Sequence, residues 1–219
     1  MLAHSEQVNL TYGDVLGEPG KPIRYVYFPN NGVISLLTLL DGHESVEVGL
    51  VGREGMAGIG LFLGIDVSPV QMLVQGSGTA TRMKAASFRN EIERNPVLQR
   101  ELNRYFYAFM AQVAQTAARN RQHLLAKRLA RWLLMTHDRV QSDEFRLTQE
   151  FLAHMLGVRR VGVSGAARLL QEKKLISYRR GNMIILDRKG LERASCRCYR
   201  GVNNIRDRML DEAVDRSPS

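Results

Sequence analysis

The sequence predicts an α+β chain: a small β-barrel first, then a long helix, then a compact and strongly basic helical module. Three observations carry this. Short runs of strand formers, punctuated by Gly, Asn and Asp, fill the first third. No Gly or Pro occurs from Val97 to Leu156, so long helices are permitted throughout that stretch. Charge is split, with 9 Lys/Arg and 11 Asp/Glu in residues 1–118 but 22 and 11 in residues 119–219. A near-neutral half joined to a basic half suits a sensor fused to a polyanion-binding module; the plain alternative is a solvated basic surface.

In chain order, Tyr25-Val26-Tyr27-Phe28 reads as a strand ending at the turn cluster Pro29-Asn30-Asn31-Gly32. Val33 to Leu40 is a second strand, followed by the hairpin dipeptide Asp41-Gly42. Val46, Val48 and Leu50 alternate with Glu47 and Gly49, the period-2 pattern of a half-buried strand. Val70–Gln75 and Thr79–Met83 flank Gly76-Ser77-Gly78 and are expected to form another hairpin. Strands and turns at this spacing point to a sandwich or barrel over residues 1–95.

At Asn95-Pro96 the pattern changes. Asn suits a helix N-cap, and Pro the first helical position, where its missing N–H would be unpaired anyway. Leu98, Leu102, Phe106, Phe109, Val113 and Ala117 then form one apolar stripe, assigned here to a dimerisation helix over residues 96–121. The same stripe could pack on the chain's own barrel; Tyr105 and Met110 on the flanking face suggest that both surfaces are served. A second helical run, His123 to Arg139, turns Leu125, Leu129, Trp132, Leu133 and Met135 inward, with Lys127, Arg128 and Arg131 between them.

From Phe145 the order reads strand, helix, turn, helix, hairpin, helix. Thr148 is a suitable cap for a short helix, and Gly157 sits where a helix-turn-helix needs positive φ. The next helix opens with Val158-Arg159-Arg160 and runs to about Lys174, with Val163, Ala166, Ala167 and Leu170 on its buried side. Arginines in the first turn suit a helix that enters the major groove, because a guanidinium fork can donate two parallel bonds to guanine. Leu175–Arg179 and Met183–Leu186 flank Arg180-Gly181-Asn182, making a basic wing. Asp187 caps a last helix to about Tyr199. The winged helix-turn-helix therefore spans residues 122–199, with a tail at 200–219. Thr148, Gln149, Arg159, Arg160, Ser164, Arg168, Arg179 and Arg180 are the candidate contacts to double-stranded DNA. Gly162 and Gly165 each weaken the second helix relative to alanine; close helix packing is the favoured reason for them, and close approach of the backbone to DNA the other.

In domain order and spacing, residues 10–190 resemble the bacterial Crp/Fnr superfamily of regulators. The most specific part runs from Leu147-Thr148-Gln149-Glu150 to Leu175-Ile176-Ser177. The resemblance implies a cyclic-nucleotide-binding-like jelly roll, a homodimer, and RNA polymerase as a further partner. It puts Arg160 on the base-reading arginine, and Thr148 and Gln149 on backbone-contacting positions. Val161 stands where the family often has a base-reading glutamate, and Gly165 where it often has a second arginine. The family's nucleotide sensors use a glutamate on the ribose and an arginine on the phosphate; the matching positions are Gly58 and Ser68. Both charged contacts are missing, so cyclic AMP is not the expected effector, and no cofactor is assigned. Arg53, Glu54 and Arg82, with Gly58 and Gly60, are the remaining effector-pocket candidates, although such charges more often lie on a surface.

Several classes are set aside. Gly58-Ile59-Gly60 with Gly64 has the wrong spacing for a dinucleotide loop and no βαβ context. Cys196 and Cys198 are poor joint metal ligands on a helix, and the five histidines are scattered. Catalytic carboxylate pairs and triads are not found, so an enzyme is not expected. Neither a signal peptide nor a spanning segment is read, which points to the cytoplasm and away from membranes. The competing class is a sensory module whose winged helix binds protein or RNA. The unbroken helical path from Pro96 suggests that the barrel acts by tilting the long helix and so spacing two recognition helices.

Overall fold

The computed structural model of the chain describes residues 4–39, 45–120, 124–140, 142–195 and 199. Seven strands build the N-terminal part: β1 (Ser5–Leu10), β2 (Val15–Gly17), β3 (Tyr25–Pro29), β4 (Val33–Leu39), β5 (Ser45–Val51), β6 (Gln71–Gly76) and β7 (Gly78–Lys84). They form two antiparallel sheets, ordered β1-β7-β3 and β2-β6-β4-β5. Leu10, Tyr27 and Ala80 from the first sheet meet Ile34, Leu36, Val51, Met72 and Val74 from the second in one buried core. β1 and β2 are not legible in the sequence; β1 alternates exposed polar residues with half-buried Val8 and holds only one buried side chain, Leu10.

Two features depart from the sequence expectation. Gly76-Ser77-Gly78 does not close a hairpin, because β6 pairs with β4 and β2 while β7 pairs with β1 and β3. The segment is a corner between sheets. Gly78 allows the close approach that a corner needs, since a Cβ there would lie 2.7 Å from the Asn31 carbonyl oxygen. The alternation in β5 also does not give polar-out burial. Glu47 and Gly49 are buried, while Val46 and Val48 are half-buried. Pairing with β4 skips Val48, and helices cover the strand's outer side, so both of its faces are interior. The antiparallel β4–β5 pairing does follow the sequence reading; the Asp41-Gly42 turn lies outside the described residues.

The helical part begins with α1 (Ala85–Arg94), which seats Phe88 in the core, and α2 (Pro96–Asn120). Asn95 caps α2: its side-chain oxygen accepts from the Leu98 N–H at 3.0 Å. The expected single stripe of α2 divides into two faces. Leu98, Leu102 and Phe109 pack on the barrel, joined by Tyr105. Phe106 and Val113 are half-buried, Ala117 is exposed, and Met110 and Tyr107 lie open on the other side.

Helix α3 (Leu125–Val140) is enclosed on nearly every side. Leu129 through Thr136 are all buried, including Arg131. One core cluster joins Val33, Leu37 and Leu50 of the barrel to Leu129, Leu133 and Leu134 of α3. It continues into Leu152, Val163 and Leu170 of the C-terminal helices. The barrel and the winged helix thus share a hydrophobic core through α3.

The C-terminal part comprises β8 (Glu144–Arg146), α4 (Gln149–Leu156), α5 (Arg160–Glu172), β9 (Ile176–Arg179), β10 (Asn182–Ile185) and α6 (Arg188–Ala194). Its sheet is ordered β8-β10-β9. Asp187 caps α6, accepting from the Gly190 N–H at 2.8 Å. Asp138 on α3 accepts hydrogen bonds from Arg188 and Tyr199, fastening the last helical segment to α3. Cys196, Cys198, the tail and the end of the long helix at residue 121 lie outside the described residues.

Candidate nucleic-acid interface

Thr148 Oγ1 accepts from the Phe151 N–H at 3.1 Å and caps α4. Phe151, Leu152 and Met155 then turn toward α3 and the shared core. At the other end Gly157 adopts φ 58 and ψ 49 and stops the helix. Arg128 of α3 donates to the Leu156 carbonyl, one of the last acceptors of α4, which ties the turn to α3. The chain re-enters a helix at Arg160, and Val163, Ala166, Ala167 and Leu170 bury one side of α5. The opposite side faces water.

Three of the sequence-predicted contacts come together at the start of α5. Gln149 Oε1 accepts from Ser164 Oγ at 3.0 Å and from Arg160 Nε at 3.3 Å. Arg159 precedes them, exposed, at the helix cap. Arg168 lies two turns along α5, exposed, with a loose contact to Glu172 at 3.8 Å. The wing tip returns to the same region, because Leu147 N–H donates to the Gly181 carbonyl at 2.8 Å. Its turn residues, Arg180 (φ 50) and Gly181 (φ 80), both take the left-handed region, as a two-residue hairpin of this hand requires. Arg179 and Arg180 are exposed there.

Sequence reasoning missed exposed Arg146 as a candidate: it pairs across the wing sheet with Asn182 beside the tip. A three-residue strand following a polar connector gives no reason to place it near the wing.

The two glycines of α5 have different surroundings. A Cβ at Gly162 would meet Leu125 of α3 at 3.0 Å, whereas one at Gly165 would meet nothing within 4 Å. Close helix packing explains the first and not the second.

The effector-pocket candidates are dispersed. Arg53 is exposed. Glu54 is engaged by Arg139 of α3 at 2.5 Å. Arg82 pairs with Glu6 at 2.7 Å and sits 4.4 Å over the Tyr25 ring. Gly58 has φ 91, and a Cβ there would press on Ile23, Val26 and the Tyr25 carbonyl, each at 3.3 Å. Gly60 lies in the short 3₁₀ helix Ile59–Leu61 against Ile23. Ser68 is buried, its hydroxyl donating to the Val70 carbonyl at 2.7 Å.

A buried polar seam links barrel and winged helix, and sequence reasoning did not foresee it. Glu47 accepts from Ser35 at 2.8 Å and from the Trp132 indole N–H at 3.0 Å. Gln75 donates to Thr136 at 2.7 Å, and Arg139 reaches Gln112 on α2 at 3.3 Å. Burial pushes the Glu47 carboxyl up to about 7, against the opposing pull of those two donors and of Arg131 and Arg139. Toward α4 and the start of α5, Ser45 of β5 borders a cleft lined by Glu150, His154, Gly157 and Arg160. His154, on α4, thus faces the cleft that β5 borders.

Among the described residues no helix is long and apolar enough to cross a membrane, and no group of three acidic, His or Cys side chains is placed to hold a metal.

Residues 127–194 match the family model of the Crp-like helix-turn-helix domain. No curated protein matches the chain. Among solved structures, FixK2 from Bradyrhizobium japonicum superposes with a TM-score of 0.73 at 13% identity, over 88% of this chain and 98% of that one. A CRP/FNR-family transcriptional regulator from Thermus thermophilus gives 0.72 at 21% identity, over 87% and 98%. The c-di-GMP-responsive global regulator CLP of Xanthomonas campestris gives 0.66 at 18% identity, over 84% and 95%. The chain therefore carries a Crp-like helix-turn-helix domain within the whole-chain fold of the Crp/Fnr regulators.

Proposed function

We propose that the protein is a homodimeric, sequence-specific DNA-binding transcription regulator of the Crp/Fnr type that does not respond to cyclic AMP. The observation that carries the reading is the cluster of exposed Arg160 with half-buried Gln149 and Ser164 on a helix-turn-helix, with a wing tip of Arg179 and Arg180 tethered beside it. Arg160 and its neighbours would read base edges. The wing arginines, with Arg146 and the capped start of α4, would hold phosphates.

A dimer is favoured by the open face of α2, where Phe106, Met110, Val113 and Ala117 follow one another at helical spacing. Two copies joined there would present two recognition helices to a two-fold operator, with half-sites about one helical turn apart. Independence from cyclic AMP is favoured by Gly58 and Ser68, which supply neither the carboxylate nor the counter-charge that a buried cyclic phosphate needs. The left-handed backbone at Gly58, with neighbours 3.3 Å from a Cβ, also disfavours a glutamate there.

The direct test is anisotropy of the full chain with labelled duplex DNA. Affinity should fall by about a thousandfold between 50 and 200 mM salt, as counterions released from phosphates are driven back, and be unchanged by cyclic AMP. Failure to bind any duplex at low salt, with capture of RNA or protein instead, would overturn the reading in favour of an interaction module.

A further inference from the structure

On the solvent side of α5, the most exposed large apolar side chain of the domain stands beside the arginines proposed to read DNA. Val161 is 83% exposed, between Arg160 and Gly162 in the first turn. Single exposed valines are ordinary on protein surfaces. This one is locally disfavoured on three counts. Its β-branch restricts rotamers in a helix, its methyls lie in water, and an acidic residue would suit the positive helix start better. The first turn of α5 contains no acidic residue at all.

One turn further along the same face lies Gly165, which nothing inside the protein requires to lack a side chain. In a helix interior such a glycine costs about as much as any ordinary residue choice can. Val161 and Gly165 are four residues apart and so share a face, with Ser164 and Arg168 alongside. An exposed methyl pair followed by a gap is the complement of a shallow apolar projection, not of a row of polar groups. Where local rules are broken without an internal gain, the compensation lies with a partner.

We infer that Val161 is a specificity-determining residue that packs on a thymine C5 methyl in the major groove, and that Gly165 lets the helix come close enough for that contact. The inference rests on the DNA-binding reading and deepens it. Thymine carries the one methyl group on the standard base edges, so an apolar side chain at this position selects T where a carboxylate would accept from cytosine N4. The half-site should therefore contain a thymine next to the base pair that Arg160 reads.

The experiment uses the full chain and duplexes recovered by selection from random-sequence DNA. Each thymine of a recovered half-site is replaced in turn by deoxyuridine, which removes only the methyl. At one position the wild type should bind about fourfold more weakly, the worth of burying one such group. Val161→Ala should bind the thymine duplex more weakly and be indifferent to uracil at that position, while Val161→Ile keeps the sensitivity. Gly165→Leu should raise the melting temperature yet lose at least about tenfold in operator affinity, because a better helix former now blocks approach. Uracil tolerated at every position, or an undiminished uracil effect in Val161→Ala, would overturn the assignment while leaving DNA binding intact. Selection that recovers no duplex would remove both.

Discussion

Arg160 and Arg179 are both exposed arginines of one small domain, yet the proposed function gives them different tasks. Arg160 is oriented by Gln149 on the first turn of α5, where a guanidinium fork can meet a guanine edge. Arg179 ends β9 at the wing, where under the proposed function it would meet phosphate whatever the sequence. Arg160→Ala should therefore lower discrimination at one base pair by about 1–3 kcal/mol, while Arg179→Ala weakens all duplexes alike and reduces the salt slope by about one. Competition between operator and random DNA distinguishes them, and equal losses for Arg160→Ala on both would refute its role. Arg160 is legible in the sequence because a turn glycine, a cap and an arginine pair fix its helix position locally, and Arg179 because Gly181 marks a turn between two apolar runs. Arg146 is not, since its place beside the wing depends on pairing with Asn182, far along the chain.

At the level of single elements, β5 and α3 are the least readable from pattern and the most consequential. A strand alternating Val with Glu and Gly looks half-solvated. Here Glu47 is buried because Trp132 and Ser35 supply donors for its carboxylate, and the Trp132 partner lies 85 residues away. Likewise Arg131 and Arg139 of α3 look like a wet basic face but are buried, Arg139 against Glu54. No local periodicity can announce such matches.

The seam makes stability depend on pH in a definite direction. The Glu47 carboxyl ordinarily titrates near 4.5 but is pushed up to about 7 in the fold, chiefly by burial. The folded state therefore favours the protonated form. Its contribution is complete below about pH 4.5 and is lost as pH rises from there through 7, a difference on the order of 3 kcal/mol at the alkaline end. Glu47→Gln should flatten this fall between pH 5 and 8 in urea-unfolding curves. Parallel curves for the two proteins would show that Glu47 is not its source.

For the whole molecule, the order of barrel, long helix and winged helix is legible from charge asymmetry, punctuation and the resemblance at Leu147–Ser177. The manner in which the two ends clasp is not. The Gly- and Pro-free stretch from Val97 suggests control through the tilt of α2, although α2 and α3 are separate helices with Leu124 outside both. The structure adds a shorter route, in which α3 touches β4 and β5 directly and α4 lies on β5. The two faces of α2 supply the test of assembly. Met110→Glu combined with Val113→Glu should leave the fold intact, yield a monomer by sedimentation, and cost about a hundredfold in operator affinity as linked half-site binding is lost.

Because Val33, Leu37 and Leu50 sit in the same cluster as Leu129, Leu133 and Leu152, parting the barrel from the winged helix would open a single continuous apolar core. Severing the chain ahead of α3 would bare the side of that helix that packs on Val33, Leu37 and Leu50, and α4 would lose the strand it lies on. Under the proposed function, a change of signal in the barrel would be constrained by the same side chains that hold the helix-turn-helix in place.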